Sequence, residues 1–200
     1  MTHFKPFSGS IANYFKDHYT ILKQEFYEHA YTNLPTDKPN HIFEGETMLY
    51  YGKIKVLSFK LSKECISGKE LKTLKWDEQN LGKTWFKFKD LYPESWEKMD
   101  NWQKFIEKFN DSLLQVYFNI AYPDITLTKH YGVNKHYYRA HVCFQSNPGL
   151  IFDIEGEQRQ WKEGFENSFS FDDGNLLHGI VNQPTNVDQP RIVCILDILK

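Results

Sequence analysis

Apolar side chains recur at helical spacing early in the chain and at every second position late in it. Ile11, Phe15, Leu22, Phe26 and Ala30 form one stripe of a helix predicted over 11–31. Residues 32–46, rich in Pro, Asn, Thr and Asp, read as a loop. Two short strands are predicted near 48–61, around Leu49-Tyr50-Tyr51 and from Ile54 to Leu61. A second helix is predicted over 94–109. Trp96, Met99, Trp102, Phe105, Ile106 and Phe109 make its buried face, and Pro93 sits at its start, where a missing N–H costs nothing.

From residue 113 the period becomes two. Strands are predicted over 113–121, 125–130, 137–145, 150–154, 165–171, 176–181 and 191–198. Turn signals separate most of them: Asn147-Pro148-Gly149, Glu155-Gly156, Asp173-Gly174 and Gln189-Pro190. Helices followed by a series of short strands predict an α+β protein. Its core is a double-stranded β-helix, a cupin-like jelly-roll, with N-terminal helices packed on it. We read 1–200 as a single domain, with a helical and mixed support region over 1–112 and the jelly-roll core over 113–200.

Composition narrows the function. Of the 200 residues, 40% are hydrophobic and 16% aromatic, enough for a packed core and too many for a disordered chain. The formal net charge is −2 with no long basic run, which gives no footing for a nucleic-acid partner. No stretch approaches the roughly 18 apolar residues of a membrane span, and the N-terminus has no apolar signal region. The three cysteines, Cys65, Cys143 and Cys194, are widely spaced and match neither a disulfide framework nor a zinc knuckle. The expectation is a cytoplasmic protein that binds no membrane.

Alternation assigns faces. In 137–145 Tyr138, Ala140, Val142 and Phe144 suit a core, and Tyr137, Arg139, His141, Cys143 and Gln145 point the other way. In 113–121 Val116, Phe118 and Ile120 oppose Gln115, Tyr117, Asn119 and Ala121. In 191–198 Ile192, Cys194, Leu196 and Ile198 oppose Arg191, Val193, Ile195 and Asp197. The polar sets fit either a sheet with one face in water or the inner wall of a small barrel. In the barrel, an arginine fork suits a carboxylate ligand.

Eight histidines are present, and four of them, His130, His136, His141 and His178, lie in or between the predicted strands. Each alone is an ordinary structural residue. Two histidines from separate barrel strands also match a mononuclear iron site, which usually adds a carboxylate two residues after the first; here that position is Gly132.

The order of residues resembles a family. His130-Tyr131-Gly132 follows a strand, then come Arg139-Ala140-His141, Trp161-Lys162-Glu163-Gly164, Phe171-Asp172-Asp173, His178, Asn182, Arg191 and Asp197. This series, from Asn119 through Lys200, is similar to the catalytic core of the aspartyl/asparaginyl β-hydroxylases. Upstream, Trp85-Phe86-Lys87-Phe88 and the first helix look similar too. The resemblance implies an Fe(II)- and 2-oxoglutarate-dependent dioxygenase. It would use O2 to hydroxylate an unactivated C–H of an amino acid or of an Asp- or Asn-like residue in a peptide. Succinate and CO2 would be released, with ascorbate as a supporting reductant.

By that resemblance His130 and His178 bind the metal, and Gly132 marks a missing carboxylate whose place a water can take. Arg191 pairs with the far carboxylate of 2-oxoglutarate, and Arg139, His141 and Asn119 line the same pocket. Gln115, Asp173 and Trp85 fall among substrate contacts. The spacers from Asp173 to His178 and from His178 to Arg191 are longer than the family pattern, and Tyr117 stands where a basic residue meets acidic substrates.

Two other readings of the same residues stay open. One is a non-catalytic barrel that binds a carboxylate ligand or a protein partner. The other is a zinc enzyme that uses His130, His136 and His141. Asp153 is a further candidate for a third metal ligand. The sequence leaves the substrate and the oligomeric state undetermined.

Overall fold

The structure is a computed structural model describing residues 2–32, 42–43, 50–51, 54–61, 88–123, 125–132 and 135–200. Trp85, Cys65 and most of the predicted loop over 32–46 lie outside the described residues.

Two antiparallel sheets face each other. Among the described residues, one has seven strands: β1 (Lys5–Pro6), β2 (Ile42–Phe43), β4 (Ile54–Leu61), β5 (Leu113–Ala121), β7 (Tyr137–Gln145), β10 (Phe169–Phe171) and β12 (Arg191–Leu199). Their spatial order is β1-β10-β7-β12-β5-β4-β2. The other has five: β3 (Tyr50–Tyr51), β6 (Thr126–His130), β8 (Leu150–Ile154), β9 (Glu157–Gln160) and β11 (His178–Asn182), in the order β3-β6-β11-β8-β9. Two facing antiparallel sheets with these crossovers make the predicted jelly-roll, and the helices pack on the outside of the larger sheet.

Burial then resolves the question of faces. Val116, Phe118, Ile120, Ala140, Val142, Phe144, Ile192, Cys194 and Leu196 join one buried cluster with the helices. Tyr117, Ala121, Cys143, Val193 and Ile195 join a second cluster that includes Ile154, Phe152 and Ile180 of the smaller sheet. The polar sets of β5, β7 and β12 therefore turn into the barrel and away from water. Tyr138, expected in the core, is exposed at the end of its strand.

The helices differ from expectation in one instructive place. The first runs as α1 (Ser10–Glu25) and continues as a π-helical turn over Phe26–Tyr31. The second is broken. Phe88–Leu91 (α2) and Pro93–Trp96 (α3) are single turns, and α4 spans Asp100–Lys108. Met99 leaves helical geometry at φ −106° and ψ 53°. The buried carboxylate of Glu25 accepts the backbone N–H groups of Asn101 and Trp102, at 3.1 and 3.2 Å. These are amides that a helix start leaves unpaired, so a carboxylate from α1 lets the chain begin a new helix at residue 100.

The strand predicted over 165–171 begins instead with a 3-10 turn at Phe165–Asn167, after Gly164 at φ 108°. The strand predicted over 176–181 starts at His178, because Leu176 N–H closes a turn onto the Asp172 carbonyl at 3.0 Å. β9 was not predicted: Glu157-Gln158-Arg159-Gln160 has no apolar alternation, and among the described residues it pairs on one side only, with β8.

Candidate active site

β6 and β11 pair so that His130 and His178 lie directly opposite one another. The register shifts between His178 and Ile180. Gly179 sits at this irregularity, and a Cβ there would press on the Leu127 carbonyl oxygen and the Lys129 backbone. The bare backbone of Gly179 thus allows the two strands to approach where the bulge re-aims the imidazoles. Their ring centroids are 4.5 Å apart.

Each imidazole is oriented in the same way. His130 Nδ1 lies 2.8 Å from the Thr128 carbonyl, and His178 Nδ1 lies 2.8 Å from the Leu176 carbonyl. A carbonyl only accepts, so each Nδ1 carries the proton, and in the neutral ring each Nε2 is left with its lone pair. This is the ring preparation that metal-binding histidines use. Burial, reinforced by the neighbouring His178, pushes the His130 pKa down to about 4, so the ring is neutral at physiological pH.

Gly132 follows β6, and its N–H donates to the Asp173 carbonyl at 2.8 Å. A Cβ at Gly132 would fall inside the Asp173 carboxylate. That carboxylate is fully buried. Asp173 Oδ1 is 3.2 Å from His178 Nε2 and accepts Arg139 Nη1 at 2.7 Å, while Oδ2 accepts the Tyr137 hydroxyl at 2.7 Å. Burial alone would raise the Asp173 pKa. The Arg139 guanidinium, with the hydrogen bond from the Tyr137 hydroxyl, outweighs it and holds the carboxyl well below the usual range.

Arg139 also grips Asp197 with two bonds, Nε to Oδ1 at 2.7 Å and Nη2 to Oδ2 at 2.9 Å. All three of its nitrogens are committed to this network.

Deeper in the barrel, Arg191 is 2% exposed, and its Nη2 donates to Asn119 Oδ1 on the adjacent strand. Its Cζ lies 4.0 Å from the centroid of the Trp161 ring. Trp161 Nε1 donates to His141 Nδ1 at 3.2 Å. His141 is 4% exposed, and its Nε2 has no hydrogen-bond partner among the described residues. Burial, with the positive charges of Arg191 and Arg139, holds the His141 pKa well below its ordinary value.

The expected site residues therefore form two groups. His130, His178 and Asp173 gather at one point with Arg139 behind the carboxylate. Arg191, Asn119 and His141 gather at another. Gln115 is buried on β5 opposite Asp197. His136 is exposed ahead of β7, apart from the buried His141. Asp153 is engaged elsewhere, bonded to Lys129 at 2.7 Å, to the Gly156 N–H and to Gln158. Sequence reasoning gave no role to Tyr137, which carried no signal beyond its place on a polar face. It used Trp161 only as part of a motif.

The paired Nε2 lone pairs, the anionic Asp173 beside them and a buried guanidinium fit a divalent transition metal and a carboxylate-bearing cosubstrate. Among the described residues, no three His, Cys, Asp or Glu side chains form a ready ligand set. Among the described residues, no helix is long and apolar enough to cross a membrane.

A family model described as aspartyl/asparaginyl beta-hydroxylase matches residues 59–200. A search of curated proteins finds no match. Similar solved structures include an oxidoreductase of the 2OG-Fe(II) oxygenase family from Burkholderia pseudomallei, 10% identical with a TM-score of 0.46. It covers 98% of this chain and 93% of its own. A Pseudomonas putida prolyl-4-hydroxylase is 11% identical with a TM-score of 0.40, covering 100% and 90%. A cupin-like protein from Thermotoga maritima is 11% identical with a TM-score of 0.41, covering 78% and 77%.

Proposed function

The chain belongs to the aspartyl/asparaginyl β-hydroxylase family, and from that premise we propose an Fe(II)- and 2-oxoglutarate-dependent oxygenase. Its substrate would be an amino acid, or an Asp- or Asn-like residue in a peptide, hydroxylated at an unactivated C–H. The observation that carries this reading is the facing pair His130 and His178, both with Nδ1 held by a backbone carbonyl and Nε2 left for a metal.

When bound, iron and 2-oxoglutarate supply the oxidising chemistry. One atom of O2 enters the substrate as a hydroxyl and the other enters succinate, with loss of CO2. The protein's part is placement. His130 and His178 hold the metal. Asp173 would add the negative charge that Gly132 does not carry, held by Arg139 and the Tyr137 hydroxyl. Arg139 keeps Asp173 ionised and fixed, with Asp197 bracing the guanidinium from the other side. Arg191, aligned by Asn119, meets the far carboxylate of the cosubstrate. The aromatic lining of Phe152, Phe169 and Phe171 around His141 excludes water from the carboxylate end.

Tyr117, buried on β5, replaces the basic residue expected for a strongly acidic substrate. That favours a neutral or amide-bearing side chain over a carboxylate. The test is succinate release that depends on Fe(II), 2-oxoglutarate and an added amino acid or peptide.

A further inference from the structure

Trp161 touches both donors of the carboxylate end through different parts of one side chain. The edge of its indole meets His141 and its face meets Arg191. An indole N–H can only donate. His141 Nδ1, 3.2 Å away, must therefore be the lone-pair nitrogen, and the single ring proton must sit on Nε2. An imidazolium is excluded on the same ground, since it would set one N–H against another. The result is a buried Nε2–H with no partner among the described residues.

A buried donor left unpaired is an unusual feature, and the groups around it indicate its purpose. His141 lies among Phe152, Phe169 and Phe171, with ring centroids at 5.1, 5.2 and 5.4 Å. Those rings accept no ordinary hydrogen bond. The charged group that acts on it most strongly is the cationic Arg191, which supplies no acceptor. An anionic oxygen would pair the Nε2–H and at the same time meet the positive charge of Arg191.

We propose that Trp161 is the positioning residue of this anion subsite: its N–H fixes the His141 proton on Nε2 and its ring face carries the Arg191 guanidinium, so that both donors meet one carboxylate. Trp161 itself does not touch the carboxylate. The identity of the carboxylate as the far end of 2-oxoglutarate rests on the function proposed above. The tautomer and the ring–guanidinium contact do not.

The experiment has two arms. Long-range 1H–15N correlation on the full-length, metal-free protein reads the tautomer of each histidine, with His141→Gln identifying the signal. Titration calorimetry with Zn(II) and 2-oxoglutarate reads the affinity. The wild type is expected to show His141 in the Nε2–H form alone. Trp161→Phe keeps a ring under Arg191 but removes the N–H. It should release the Nδ1–H form and weaken 2-oxoglutarate on the order of tenfold, the scale of one lost hydrogen-bond partner. Trp161→Leu removes both contacts and should weaken binding further. A wild-type His141 that is Nδ1–H or doubly protonated overturns the proposal without any variant. So does a Trp161→Phe protein that keeps both tautomer and affinity. If the wild type shows the expected tautomer but binds no 2-oxoglutarate, the cosubstrate reading fails while the tautomer assignment stands.

Discussion

The carboxylate of Asp173 occupies the volume that a side chain on Gly132 would need. A metal site of the common two-histidine type draws its carboxylate from the position two residues after the first histidine. Here that position is bare, and an acid from the turn before β11 stands beside His178 instead. The absence at 132 and the presence at 173 are thus one arrangement. Gly132→Ala should cost at least about 1–3 kcal/mol through overlap in a packed site, read as a fall in melting temperature. Asp173→Asn keeps the shape but removes the charge. It should weaken Mn(II) or Fe(II) binding by about 10–100-fold, as losses next to metal ligands do. Unchanged metal affinity in Asp173→Asn would remove Asp173 from the account.

Under the proposed function Arg191 anchors the cosubstrate. Arg191→Met loses the charge and the planar fork, and should weaken 2-oxoglutarate binding by about 2–5 kcal/mol, at least ~30-fold. Metal affinity should change little, because the two histidines lie in the other group of site residues. Calorimetry with each ligand separately tests the split. Equal losses for metal and cosubstrate would mean that Arg191 supports the fold more than the pocket.

The metal-free protein should lose stability on acidification within a defined window. His130 has a folded pKa of about 4 and an ordinary value of 6.5. The unfolded chain therefore takes up a proton first. The stability due to neutral His130 is complete above about pH 6.5 and declines as pH falls toward about 4, by up to ~3 kcal/mol. His141, depressed in the same direction, adds to the slope. Metal binding needs the same neutral rings, so affinity should fall with pH in parallel. Denaturant unfolding at several pH values checks this, and His130→Gln should flatten the curve.

Gly179 keeps β6 and β11 in contact where the histidines meet. Gly179→Ala brings a Cβ against the backbone of Leu127 and Lys129, which cannot yield like a side chain. The expected result is a shift of the His130–His178 pairing, with metal affinity reduced at least tenfold. A Gly179→Ala protein with wild-type metal affinity would mean that the strands tolerate separation there.

Much of this was legible in the chain because strand alternation is strict. Arg139 and His141 share a face, as do Arg191 and Asp197, and one barrel turns all of them inward. Alternation could not say whether that face met water or a cavity, since both need polar residues. The answer came from the smaller sheet, whose Phe152, Ile154 and Ile180 cover it. The partnership of Asp173 with Gly132 was hidden for another reason. Asp173 sits in a turn, where no periodicity fixes direction, and its contact is with a segment distant in sequence. The break before α4 was hidden because its cause is a carboxylate on another helix, Glu25. Arg139 was expected to line the cosubstrate pocket. Its type and face were readable, but its commitment to Asp173 and Asp197 depends on side-chain reach across strands.

The central claim is that His130 and His178 together hold one ferrous ion. It is tested most directly by anaerobic titration of Fe(II) into the protein with 2-oxoglutarate, followed by visible absorption. The wild type should bind one iron per chain and develop a metal-to-cosubstrate absorption band, and neither His130→Ala nor His178→Ala should show it. A band that survives either substitution, or a wild type that takes up no iron, would contradict the account.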